Sequence, residues 1–212
     1  MKNHFKVLLI TAALGLVTLN ANAQFGGLMG GGAKANANAV NPDVIEQSLK
    51  QMISGANRTN RLLAEALDMK ELVTKSEDAA ACLEKGSCGI ADASAVSVSV
   101  NSDVQKKIEE MIKNGQKFNQ ESGDKVLKAG EGGLKQIVFA KKLMADAKNI
   151  DKSGMAALKA ATVLKNLPDG VKALDGMFKS FESIFKVMSY SGISLGDLQT
   201  SMVSEFANIG KN

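Results

Sequence analysis

Histidine occurs once in this 212-residue chain, as His4, and cysteine twice, as Cys82 and Cys88. His4 lies in a leader that the sequence marks for removal. A Ser-His or Cys-His dyad, an imidazole metal site and a c-type haem attachment therefore all lack a necessary group. The cysteines stand in Cys-Leu-Glu-Lys-Gly-Ser-Cys, which is not a C-x-x-C spacing and has no further ligand near it, against a redox pair or a thiolate metal centre. In an exported chain two cysteines are most simply one structural disulfide, and Cys82–Cys88 is the expected pair.

The other reactive groups give no constellation. Glu109-Glu110 and Glu77-Asp78 sit in polar stretches, where nothing raises a carboxyl pKa for acid-base work, and are expected to be solvated faces. Gly130-Glu131-Gly132-Gly133-Leu134-Lys135 has glycines and a lysine but not the G-x-x-x-x-G-K-[ST] order of a phosphate loop. The ten methionines include Met52, Met111, Met144, Met177 and Met188 on apolar faces, where thioethers are ordinary core filler rather than copper ligands. A Ser/Lys hydrolase is the one catalytic class the composition leaves open, and no pair is singled out. No enzyme activity, cofactor or metal is expected.

The most hydrophobic feature is Met177, Phe178, Phe181, Ile184, Phe185 and Met188, at helical steps of three and four. Two uses fit such a face. As core it buries three turns against a bundle; as a surface it accepts lipid or another hydrophobic ligand, with Lys172, Lys179 and Lys186 running alongside.

What must position these groups begins with a targeting segment. Lys2 and Lys6 precede the apolar run Val7 to Leu19, and Ala21-Asn22-Ala23 follows with small residues where a signal peptidase reads. The run is shorter than the roughly 20 apolar residues that span a bilayer, so residues 1–23 are expected to be a signal peptide cleaved after Ala23. The destination is the periplasm, with the extracellular space as the alternative. Residues 24–40, rich in glycine, alanine and asparagine, are expected to be a disordered leader. Loss of Lys2 and Lys6 lowers the net charge from +4 to +2, too little for general attraction to nucleic acid.

Residues 41–212 are expected to form a single all-α domain, an elongated antiparallel helical bundle. Asn41-Pro42-Asp43 caps and opens a helix whose stripe is Ile45, Leu49, Met52, Ala56, Thr59, Leu63 and Ala66. Asp68 and Glu71 form a second start, closed by Gly86. In Ile90 to Asn101, Val96, Val98 and Val100 alternate with serine, which predicts an extended connector with at most a short strand. Ser102 and Gln105 then form a capping box for a tract running to about Ile150. Small residues repeat every seven positions along it, at Gly115, Ser122 and Ala129 and at Gly133, Ala140 and Ala147. The tract is either one helix kinked at Gly130–Gly133 or two helices joined there. A short helix from Met155 ends before Pro168, another runs from there to Gly192, and Ser194 with Asp197 caps the last.

Long helices and no catalytic constellation predict a non-enzymatic interaction protein, an envelope scaffold or chaperone-like binder of a protein partner. Binding of lipid or another hydrophobic ligand through the Met177–Met188 face is the alternative.

Overall fold

The computed structural model describes residues 39–209, so the expected signal peptide and nearly all of the expected leader lie outside the described residues. The described chain is an all-α bundle of six helices: α1 Pro42–Ala66, α2 Lys70–Glu84, α3 Ile90–Lys113, α4 Gln120–Lys148, α5 Ala156–Ser191 and α6 Leu198–Ala207. Extended pairing among the described residues is one isolated bridge, in which the Val40 N–H donates to Asn149 O and the Asp151 N–H to Val40 O, each at 2.8 Å. The last residue of the expected leader is therefore held against the α4–α5 loop.

The first helix forms as its sequence dictates. The Asn41 side chain accepts from the Asp43 N–H at 2.8 Å, Pro42 occupies the first turn, and all seven stripe residues are buried. α1 packs against α2, α3, α4 and α5 and so lies at the centre of the described bundle. Gly86 and Gly192 end α2 and α5 at φ +70° and +74°, a conformation that costs glycine no Cβ clash. The start of α2 differs from expectation. Asp68 adopts φ 54° in the turn and makes no cap; Met69 is the N-cap, without a side-chain hydrogen bond.

Three stretches depart more deeply from the sequence-based reading. Ile90 to Asn101 is not extended but is the first half of α3. Val96 is half-buried, Val98 exposed and Val100 buried, whereas a strand would place all three on one side. The inward residues are Ile90, Ala93, Ser94, Ser97, Val100 and Asn101, a helical stripe disguised because its polar members are small. Ser97 and Asn101 among them face partners. The Asn60 side-chain N–H donates to Ser97 Oγ at 2.9 Å, and Ser180 Oγ donates to Asn101 Oδ1 at 3.2 Å. Ser102 and Gln105 therefore lie inside α3, and Gln105 donates to Gly176 O on α5 at 3.3 Å instead of capping.

The break in the tract to Ile150 falls at Asn114-Gly115, with Gly115 at φ +63°, and not at Gly130–Gly133. α4 is continuous through those glycines because they admit neighbours. A Cβ on Gly133 would stand 2.7 Å from Phe181 Cε2, and one on Gly130 would collide with Leu198. Likewise Pro168 does not divide Met155–Gly192 into two helices: it lies exposed inside the 36-residue α5. Leu167 and Gly170 on either side are buried, and Gly170 takes Leu49 and Met52 of α1 against its backbone, with a Cβ there only 2.6 Å from Leu49 Cδ1. Packing holds the helix across a residue that local preference would make a boundary.

Candidate interaction surface

Cys82 and Cys88 stand at disulfide distance, their Cα atoms 5.5 Å apart, and carry the bond. It ties the end of α2 to the segment entering α3. The same corner is fixed by the Ser87 N–H donating to Cys82 O at 2.9 Å and the Gly89 N–H donating to Asp92 Oδ2 at 3.1 Å. Glu84 is anchored from α1 by Arg58, whose Nε and Nη2 donate to its two oxygens at 3.0 and 2.8 Å, and by Ser54. The Arg58 guanidinium foremost, then the Ser54 hydroxyl, hold the Glu84 carboxyl below the ordinary carboxylate range.

From that corner α2 and α3 run antiparallel, since Lys75 Nζ donates to Ser99 Oγ at 3.3 Å while residues 69–72 face residues 103–110. Between them lies an open groove of about 470 Å³. Its lining combines Met69 and Leu72 with Lys70, Lys75, Lys106 and Lys107, and with Glu71, Asp103 and Glu110. Lys106 is paired with Asp103 at 2.9 Å. Lys70, Lys107, Glu71 and Glu110 make no ion pair among the described residues, so their charges face outward. Short apolar side chains under a ring of mixed charge present the polar, water-accessible character of a protein-binding rim. It is not legible in the sequence, because its halves lie on two separate helices and each alone is an ordinary charged helix turn.

The structure brings Met177, Phe178, Phe181, Ile184, Phe185 and Met188 together, but inside the bundle. All six are buried, Phe181 completely. α6 closes the face: the Phe206 ring stacks on Phe178 with centroids 4.0 Å apart, and Met202 is fully buried near Gly133. Lys172, Lys179 and Lys186 point the other way, into solvent, with Lys172 and Lys179 paired to Asp169 at 3.6 Å and Asp175 at 2.6 Å. As folded, this face is part of the core that holds the bundle together.

No group of three or more His, Cys, Asp or Glu placed to hold a metal occurs among the described residues, and none of the described helices is long and apolar enough to cross a membrane. Glu109, Glu110, Glu77 and Asp78 are exposed, as solvated faces should be. Compared with family models, curated proteins and solved structures, the chain matches none.

Proposed function

We propose that the chain is an exported, non-enzymatic interaction protein that holds a protein partner in the cell envelope, and that the α2–α3 groove is where the partner docks. The observation that carries this reading is the groove itself, where Lys70, Lys107, Glu71 and Glu110 stand without ion pairs among the described residues, on two helices clamped by a disulfide and by Arg58–Glu84. A surface fixed before binding loses little conformational freedom on association, which favours recognition by shape and charge. Export rests on Lys2, Lys6, the apolar run to Leu19 and Ala21-Asn22-Ala23. N-terminal sequencing of the native protein should then begin at Gln24.

The test is affinity capture from an envelope extract with the parent and with Lys70→Glu/Lys107→Glu as bait. The double variant should lose the protein that the parent retains while melting at the same temperature, because neither side chain has an ion pair among the described residues. Equal capture by the two baits would remove the groove from the reading; absence of any retained protein would remove the reading itself.

A further inference from the structure

Large apolar side chains in the described chain are mostly buried, but Met155 and Leu158 are 96% and 80% exposed. They lie three residues apart at the first turn of α5 and so share one face. Side by side they form the most exposed large apolar pair among the described residues. Around them the charges without an ionic partner are two positive and one negative among the described residues. Asp43 is paired with Lys159 at 3.4 Å and Glu46 is bonded to Lys159 and Lys50, while Asp151 keeps its negative charge and accepts from the Ser153 hydroxyl at 2.6 Å. Lys152 and Lys165 have no carboxylate partner among the described residues. Lys165 follows Leu158 by two helical turns on the same side of α5.

The described chain also enters the bundle beside this end of α5. Val40 is bonded to Asn149 and Asp151, in the loop that leads directly to Met155. In the chain expected after cleavage, the sequence before it contains the apolar residues Phe25, Leu28 and Met29. The described chain thus begins beside the loop that leads to the two exposed apolar side chains.

We infer that Met155 and Leu158 form a membrane-contact point that seats on an anionic phospholipid surface, the two side chains entering the headgroup–acyl boundary while Lys152 and Lys165 meet lipid phosphates. Protruding apolar residues flanked by lysines match the chemistry of an interfacial contact, in which apolar burial and attraction to anionic lipid add. This contact is separate from the α2–α3 groove and stands whether or not a protein docks there.

The chain contains no tryptophan, so Met155→Trp supplies a single reporter. On adding vesicles of phosphatidylcholine mixed with phosphatidylglycerol to the chain beginning at Gln24, its emission should shift to the blue and be quenched by lipids brominated on the acyl chain. The same reporter at an exposed α3 position, Val98→Trp, should not respond. Met155→Asp/Leu158→Asp should lower the partition coefficient onto those vesicles at least about tenfold without changing the melting temperature. An unresponsive Met155→Trp, or an aspartate variant that binds as well as the parent, would overturn the inference, because binding would then come from the leader alone. A blue shift that follows protein concentration without vesicles would equally overturn it, by showing that the patch meets a second copy.

Discussion

At the level of single residues, Phe181 shows how one aromatic can be read two ways until its neighbours are known. Its ring is fully buried, tilted against Phe185 with centroids 5.6 Å apart, and fits over the bare backbone of Gly133. Phe181→Ala should therefore destabilise the protein by about 3–5 kcal/mol, because a buried aromatic site cannot collapse fully when emptied. Thermal and denaturant melts of the variant against the parent measure this directly. A ligand-face phenylalanine would leave no internal cavity and barely move the midpoint. The residue identities and their steps of three and four were legible in the sequence. That the face is closed was not, because the residues that close it, Met202 and Phe206, lie on a separate helix with a weakly amphipathic pattern of its own.

Among the helices, Pro168 is the informative case. It lacks an N–H to give to Leu164 O, yet α5 runs unbroken from Ala156 to Ser191, about 54 Å at the usual rise per residue. The ring is exposed, so replacing it removes no core contact. Pro168→Ala should restore the missing backbone bond and raise stability by about 1–3 kcal/mol, somewhat less than the full interior penalty because the helix has already accommodated the ring. Denaturant unfolding of the two proteins gives the difference, and no gain would show that Pro168 is matched to a bend that the packing requires. The same contest between local preference and packing decides α4, where Gly130, Gly132 and Gly133 weaken the isolated helix but receive Leu198, Thr59 and Phe181. Local signals won where the chain is free to turn, at Gly86, Gly115 and Gly192.

Across the whole molecule, acid should loosen the bundle through identifiable links. Glu46 sits half-buried between Lys159 of α5 and Lys50 of its own helix, and those ammonium groups, Lys159 foremost, hold its carboxyl below the ordinary range. Glu84 is lowered in the same way by Arg58. A carboxyl lowered on folding contributes stability that is complete above its unfolded pKa and is lost as the pH falls through the folded value. Denaturation midpoints should therefore hold steady at neutral pH and fall below the normal carboxylate range. Glu46→Gln and Glu84→Gln should each start lower and fall less steeply. Added salt should erode the Glu84 contribution more than that of Glu46, because the Arg58–Glu84 pair is the more exposed. A midpoint that did not change in acid would show that neither α1–α2 nor α1–α5 is held by these pairs.

By itself the sequence determined what short range controls. Asn41-Pro42-Asp43 and the seven-residue stripe made α1, Gly86 and Gly192 ended helices, and two cysteines six positions apart were near enough to pair. It also limited the chemistry, since residue types such as histidine are present or absent whatever the fold. The tertiary structure decided everything that depends on which helix lies opposite. A serine-rich stretch became helix because Asn57, Asn60 and Ser180 faced it, and glycines and a proline stayed helical because neighbours filled the space beside them. Turns a few residues long are governed by backbone sterics that each residue carries with it. Long helices and the grooves between them are governed by burial and hydrogen bonding, whose partners the linear order does not name.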